Sequence, residues 1–274
     1  MASGRRFSTR KQTHMTAVLF HGVPETAGVW DRLKDHLVGD IVTLSLPGFG
    51  TPLPNGFEPT KESYAKWLTG ELASFDKPIH LVAHDWGALL SLRVLAGQPA
   101  NIASWVLDAG NIDDDFVWHD LDQLWISPGG EEFMEGFLAM SVDDRAAMLV
   151  GAGVPEIGAL DVAAGVDATM SSSILSLYRS AVNLGAEWGP GIDQINGRGM
   201  LIEAENDSYR APGRIPDLPS GRARRSPHLP VAGTGGCSTI QRAPLPSSPT
   251  SGDDSTEPSP APTASGVGSN RSSS

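Results

Sequence analysis

Short apolar runs alternate with longer amphipathic segments between residues 15 and 110. The runs are rich in β-branched residues and predict buried strands at 16–20, 40–46, 78–84 and 103–110. Between the strands, apolar residues recur at helical spacing and predict helices at 29–37, 61–75 and 88–99. Strands and helices that alternate with short links predict a doubly wound, mostly parallel α/β sheet.

The pattern changes after Gly110, where helical periodicity replaces the alternation up to about residue 195. One helix is predicted to begin after Ser141, because Ser141 and Asp144 have the spacing of a capping box. Strand character returns only at residues 198–207. A helical block inserted between two strands at one edge of a sheet predicts a lid over the strand ends.

Composition separates a globular part from the two ends of the chain. Residues 15–210 contain every aromatic residue except Phe7, whereas residues 211–274 contain none and hold 11 of the 21 prolines. Such a tail buries too little apolar surface to offset its ordering entropy, so we expect it to be disordered. The predicted organisation is a disordered basic leader at 1–14, the first part of the α/β core at 15–110, a helical lid at 111–195, the acid-bearing core strand at 196–210 and a disordered tail at 211–274.

Charge and cysteine content limit the classes of binding partner and the cellular compartment that we expect. Residues 15–210 carry 10 Lys or Arg against 28 Asp or Glu, and a surface this acidic repels phosphate backbones and anionic lipids. A small-molecule substrate is therefore expected, with neither nucleic acid nor membrane as a partner. The single cysteine, Cys237, excludes an internal disulfide and predicts a cytoplasmic location. No pattern predicts a metal or a cofactor.

The stretch "HLVAHDWGALL" places Asp85 between a predicted strand and a predicted helix. A sharp strand-to-helix turn directs its central side chain into a cleft and needs small neighbours, which Ala83 and Gly87 provide. Asp85 is therefore a candidate nucleophile. The alternative is that Asp85 caps the helix that begins near Trp86, a position that aspartate favours.

The chain resembles the α/β-hydrolase superfamily, and within it the branch with an aspartate nucleophile that includes epoxide hydrolases and haloalkane dehalogenases. The resemblance covers about residues 15–210 and rests on "HGVPET", "LPGFG", "AHDWG", the helical block and "END" after the last strand. It implies an α/β-hydrolase fold with an inserted lid. We expect this fold to be incomplete at its N- and C-terminal ends.

The resemblance implies roles for the matched residues. Asp85 attacks an sp³ carbon to form an alkyl-enzyme ester, and the backbone N–H groups of Val23 and Trp86 form the oxyanion hole. Asp207 in "AENDSY" matches the family's acid, and Asp108 in "VLDAG" is the alternative acid that some dehalogenases use. The side chains expected to line the substrate pocket are those of His21, Trp118 and Trp125.

The two subfamilies differ in how they stabilise the leaving group. "LYRSAVNLGAEW" resembles the second lid-tyrosine segment of epoxide hydrolases, which assigns Tyr178 as the proton donor, although a packing role is the alternative. Dehalogenases hold halide with the Trp after the nucleophile, which Trp86 matches, and often with an Asn after "HG", where Val23 stands instead. Ala83 favours dehalogenases, whereas "HGVPE" favours epoxide hydrolases.

The family's general base is a histidine in a late "GH" loop, which this chain does not supply in frame. His228 is the only histidine after Asp207, and it is a weak candidate because no strand pattern precedes it and prolines flank it. Read in a shifted frame, "AGTGGCSTIQ" permits Gly-His-Trp-Trp-Leu-Phe-Asp-Asp-Pro, which looks like the missing loop. The residues after about 213 are therefore predicted to be frameshifted.

Three hypotheses follow from the sequence. The first is an epoxide-hydrolase-like enzyme that forms the ester on a small apolar substrate but is impaired in hydrolysing it. The second is a haloalkane dehalogenase. The third, from another class, is a non-catalytic remnant that keeps a ligand pocket as a binding module.

Overall fold

The computed structural model describes residues 15–110, 112 and 116–202. Within them, five strands form one parallel sheet in the order β2-β1-β3-β4-β5. The strands are β1 (Ala17–Phe20), β2 (Ile41–Leu44), β3 (Ile79–His84), β4 (Ile102–Asp108) and β5 (Gly199–Ile202). The parallel α/β sheet predicted from the sequence is confirmed. The predictions for the leader, for the tail, for Asp207 and for His228 lie outside the described residues.

Helices connect the strands and cover the sheet. They are α1 (Asp31–Lys34), α2 (Lys61–Ala73), α3 (Trp86–Ala96), α4 (Asp120–Ile126), α5 (Gly130–Ala139), α6 (Val142–Gly151), α7 (Glu156–Gly165), α8 (Ala168–Ser180) and α9 (Leu184–Ile192). Helix α3 is buried along nearly its whole length, because all its residues except Ser91 and the exposed Arg93 are apolar or glycine and it lies between strand β3 and helices α2 and α9. This burial fixes the first turn of α3, where the candidate nucleophile stands.

The segment 29–37 is less helical than its sequence pattern predicts. A 3-10 turn at Ala27–Trp30 leads into α1, which is a single turn with no buried residue. Its apolar side chains Leu33 and Leu37 are each 39% exposed. Because most helical stability in proteins comes from tertiary burial, a segment that buries so little does not extend beyond one turn.

The chain between β4 and β5 forms a helical insertion, here defined as α4–α9. Ser141 caps α6 as predicted, because its hydroxyl accepts a hydrogen bond from the Asp144 N–H at 3.1 Å, but the hydroxyl donates to Asp144 Oδ2 at 2.7 Å in place of the reciprocal backbone bond of a full capping box. Helix α8 packs against α2, α4 and α5, and its buried face joins the core of the sheet. The insertion and the sheet therefore share one apolar core.

Among the described residues, no helix has the length and apolar character needed to cross a bilayer. Those residues also contain no cluster of three or more His, Cys, Asp or Glu side chains arranged to hold a metal ion.

Candidate active site

Asp85 occupies a sharp turn between β3 and α3, with φ 50° and ψ −125°. Two glycines permit this turn to approach strand β1 closely. A Cβ on Gly87 would overlap the carbonyl oxygen of His21 and lie 2.8 Å from that of Phe20, and a Cβ on Gly22 would lie 2.8 Å from Asp85 Cγ. The elbow predicted from "AHDWG" is therefore present, and the backbone on both sides of Asp85 is fixed.

The carboxylate of Asp85 is held by backbone N–H groups. The Val23 N–H donates to Asp85 Oδ1 at 2.7 Å, and the Trp86 N–H also hydrogen-bonds the carboxylate. Asp85 stands at the N-cap position of α3, but its side chain makes no capping hydrogen bond. Asp85 thus holds the N-cap position that the alternative gave it, but its carboxylate is bound by the N–H groups of Val23 and Trp86 and makes no side-chain capping bond.

Asp85 lies in the wall of a cavity of about 420 Å³ between the ends of the strands and the helical insertion. A cavity of this size suits a small organic molecule. Its wall is mostly apolar and includes Leu89, Trp118, Trp125, Met134, Phe137 and Ile174. The polar side chains of the wall are few: Glu25, His84, Asp85, His119, Asp122 and Tyr178.

Tyr178 lies in the centre of an aromatic cluster formed by Trp86, Trp118, Trp125 and Tyr178. Its ring centroid lies 5.3 Å from that of Trp86, 5.1 Å from that of Trp118 and 4.9 Å from that of Trp125. Burial raises the pKa of Tyr178 well above its ordinary value, and the carboxylates of Asp122 and Asp85 raise it further. The phenol is therefore fully protonated near neutral pH.

The three indole N–H groups of the aromatic cluster differ in their hydrogen bonding. The Trp118 N–H donates to the Ala181 carbonyl at 2.9 Å. In the described part of the chain, the buried N–H groups of Trp86 and Trp125 make no hydrogen bond of normal geometry. The Trp86 N–H does act weakly on the Tyr178 oxygen and so opposes part of the rise in its pKa. A buried donor without a partner is costly, so the Trp125 N–H is available to an anion or to a polar atom of a ligand, and the Trp86 N–H could exchange its weak interaction with Tyr178 for such a contact.

Beside Asp85, one imidazole is surrounded by carboxylates. His84 Nδ1 lies 3.0 Å from Asp108 Oδ2, and His84 Nε2 lies 3.9 Å from Glu25 Oε1. Burial lowers the pKa of His84, but the hydrogen bond to Asp108 and the charges of Glu25, Asp85 and Asp108 outweigh it and raise this pKa to about 9. The imidazole is therefore a cation at neutral pH.

The His84 cation acts on the candidate nucleophile. Burial raises the pKa of Asp85, and the charge of His84 and the N–H groups of Trp86 and Val23 oppose this rise. Burial likewise raises the pKa of Glu25, whose carboxylate accepts a hydrogen bond from the Gly22 N–H at 3.1 Å. His84 thus favours the ionised form of Asp85, which is the form that can attack a carbon atom.

The structure brings together most of the residues that the sequence assigned to the site. Asp85, Val23, Tyr178, Trp118 and Trp125 all line the cavity. Trp86 contributes its backbone N–H and packs behind the wall. Asp108 lies at the end of β4, where its side chain binds His84.

The assignment of His21 to the pocket wall is wrong. Its side chain is fully buried outside the cavity wall, where Nε2 accepts from the Leu46 N–H at 3.1 Å and Nδ1 lies 2.7 Å from the Gly22 carbonyl. Burial lowers the pKa of His21 to about 4. His21 is therefore a neutral residue that joins the loops after β1 and β2.

Sequence reasoning missed four residues of the site: Glu25, His84, His119 and Asp122. Glu25 and His84 belong to the motifs "HGVPET" and "AHDWG", but no local sequence pattern indicates that their side chains lie close together. His119 and Asp122 have the i, i+3 spacing that places side chains on one helical face, which was a usable signal. Their joint position in the cavity wall depends on the fold.

We expect Asp108→Asn to lower the pKa of His84, because it removes a negative charge and replaces a charge-assisted hydrogen bond with a weaker one to a neutral amide oxygen. A group with a raised folded-state pKa stabilises the fold below its ordinary pKa of 6.5, and this stability is lost as pH rises through about 9. The free energy of unfolding should therefore fall less between pH 6.5 and 9 in the variant.

Imidazole NMR titrations and urea unfolding measure both effects. Asp120→Asn, an exposed change in the first turn of α4, is the control. Identical His84 titrations in wild type and Asp108→Asn would contradict the assignment.

With this geometry established, comparison with known proteins identifies the family. The model of the alpha/beta hydrolase family matches residues 17–248. This match spans most of the chain, and the protein therefore belongs to the α/β hydrolase family.

Solved structures with related folds come from two groups of enzymes. A candidate epoxide hydrolase from Klebsiella pneumoniae is 16% identical, with 74% of this chain and 77% of that chain covered and a TM-score of 0.57. The haloalkane dehalogenase DbeA from Bradyrhizobium elkani is 19% identical, with 71% and 74% covered and a TM-score of 0.52. An epoxide hydrolase from Vigna radiata is 19% identical, with 69% and 72% covered and a TM-score of 0.52. The protein thus shares its fold with epoxide hydrolases and haloalkane dehalogenases alike.

Proposed function

We propose that Asp85 is a nucleophile that forms an alkyl-enzyme ester with a small, mostly apolar epoxide. The observation that carries this proposal is the position of its carboxylate: it lies at the elbow, faces the cavity, and has Oδ1 held at 2.7 Å by the Val23 N–H. The charge of His84 and the N–H groups of Val23 and Trp86 favour the ionised form of Asp85, and in that form the carboxylate needs no separate base before it attacks.

The first step uses the two carboxylate oxygens differently. Oδ2 attacks a ring carbon of the epoxide, the C–O bond breaks, and the ring oxygen takes a proton from Tyr178. Oδ1 becomes the carbonyl oxygen of the ester and stays bound to the N–H groups of Val23 and Trp86. When water later attacks the ester carbonyl, the same donors stabilise the negative charge that develops on this oxygen.

Haloalkane dehalogenation is the second candidate function, and one observation favours it. The buried N–H groups of Trp86 and Trp125 lack hydrogen bonds of normal geometry, and both belong to the aromatic cluster beside Asp85. A departing halide would be stabilised by such donors. Tyr178 favours the epoxide, because a halide needs no proton.

Hydrolysis of the ester needs a general base, which His84 does not provide at neutral pH. The pKa of His84, about 9, keeps its imidazole protonated at neutral pH, so this imidazole beside Asp85 has no free nitrogen to accept a proton from water. We propose that Asp207 is the acid that orients the base, with Asp108 as the alternative acid. We also propose that the base itself is encoded in a second reading frame after about residue 213. An ester that forms but does not hydrolyse is the expected result; a protein that forms none is a binding module instead.

Intact mass spectrometry with two probes tests the proposal. The full chain is incubated at pH 7 with styrene oxide or with 2-phenylethyl iodide, and peptide mapping locates the adduct, since Cys237 can also react. We expect one adduct on Asp85 that persists after the probe is removed. A folded sample with no adduct on Asp85 from either probe would refute the nucleophile.

The frame is tested separately by sequencing the genomic locus. The proposal predicts that a second frame encodes a Gly-His loop downstream of residue 213. A second frame that ends before any such loop would refute it.

A further inference from the structure

The helical insertion places a second carboxylate in the cavity wall, and the chemistry of Asp85 leaves it unexplained. Asp122 on α4 is 3% exposed, and its Oδ2 lies 2.9 Å from His119 Nε2. The same carboxylate faces the hydroxyl of Tyr178 and acts on Asp85 through its charge. The side chain of His119 is 28% exposed and also lines the cavity, so the chain of groups from His119 through Asp122 to Tyr178 begins at an accessible imidazole.

The surroundings of Tyr178 make it a poor proton donor on its own. Burial, Asp122 and Asp85 all raise its pKa, because a phenolate at this position would be desolvated and would face two carboxylates. After it gave its proton to a leaving oxygen, Tyr178 would therefore need a replacement proton at once. Burying the Asp122 carboxylate costs free energy, and the contact with His119 Nε2 at 2.9 Å opposes that cost.

We propose that His119 and Asp122 form a proton relay that resupplies Tyr178 during opening of an epoxide. The proposal rests on the proposed function, because it needs Asp85 to open the ring. In this relay Tyr178 touches the substrate, whereas Asp122 and His119 act through Tyr178.

The step balances with solvent water as the source of the proton. Asp85 Oδ2 forms a bond to carbon, the ring C–O bond breaks, and its electron pair goes to the oxygen, which takes the Tyr178 proton. Asp122 receives the proton of His119 Nε2–H and passes it to the phenolate, and His119 Nδ1 takes a proton from a solvent water, which leaves as hydroxide. The products are the hydroxyalkyl ester, a restored phenol and hydroxide released to solvent.

The relay predicts a selective effect that a structural role would not produce. An epoxide oxygen needs a proton as it departs, whereas iodide does not. A defect in the relay should therefore slow ester formation from styrene oxide but not from 2-phenylethyl iodide. Loss of packing around Asp122 would slow both reactions together.

The experiment measures the rate of adduct formation on Asp85 in the full chain with both probes. Asp122→Asn and His119→Gln should each slow the styrene oxide reaction about 10²-fold, as removal of general acid catalysis does, and should lower the ratio of the epoxide rate to the iodide rate by the same factor. Tyr178→Phe should do the same. Asp120→Asn, the same chemical change on an exposed position of α4, should leave the ratio unchanged.

A pH profile of the epoxide rate is the second measurement, and it tests the relay even if the iodide does not react. The epoxide rate of wild type should vary with pH in a way that His119→Gln abolishes. The other titratable groups of the wall, Glu25, His84 and Asp85, are unchanged in that variant. Unchanged rate ratios in both variants, or identical pH profiles in wild type and His119→Gln, would overturn the relay. No Asp85 adduct with either probe would instead refute the proposed function.

Discussion

Asp85→Asn is expected to form no adduct with either probe, a loss of at least about 10⁴-fold in rate. The amide has almost the shape of the carboxylate, so the N–H groups of Val23 and Trp86 and the packing of α3 can remain in place. What it lacks is the negative charge that drives attack on carbon. The loss should therefore appear in chemistry and not in folding, as measured by adduct mass together with thermal unfolding.

Asp143→Asn, on an exposed position in the first turn of α6, is the matched control and should react like wild type. If Asp85→Asn still forms the adduct at the wild-type rate, the nucleophile is another residue. Peptide mapping of that adduct would then identify it.

Gly87→Ala is expected to destabilise the fold by about 3 kcal/mol, at the upper end for overpacking. The new Cβ would overlap the backbone oxygens of His21 and Phe20, at the end of strand β1, and backbone atoms cannot move aside as a side chain could. Any shift that relieved the overlap would move the elbow away from Val23. We therefore expect a slower adduct reaction along with the lower stability.

Urea unfolding separates this effect from the general effect of adding a methyl group to a helix. Gly70→Ala in α2 is the control, because no atom lies within 4 Å of its new Cβ. It should stabilise the protein by about 0.5–1 kcal/mol. Equal stability changes in the two variants would contradict the close approach at Gly87.

Sequence patterns predicted the sheet because each of its strands can be recognised from a few neighbouring residues. Strands β1 to β4 are short apolar runs between turns, and "AHDWG" combines a strand end, small residues and a helix start within five positions. The same reasoning overextended the helix at 29–37. Its amphipathic pattern is real, but whether its apolar face finds a partner depends on the rest of the fold, and the structure leaves that face exposed.

The electrostatics of the site could not be predicted in the same way. His84 and Asp108 lie 24 positions apart, and their contact follows from the pairing of β3 with β4 in the register His84 with Asp108. The contact of Asp122 with Tyr178 depends on the packing of α4 against α8. Patterns assign side chains to faces of elements, but they do not say which faces meet.

The backbone at Asp85 also sets a limit on how this chain can vary. A non-glycine residue with φ 50° and ψ −125° costs on the order of 1–3 kcal/mol, and a glycine would remove that cost together with the carboxylate. Backbone strain alone therefore favours glycine at position 85. Under the proposed function, the residue that would react with substrate stands where the fold by itself would be better served by another.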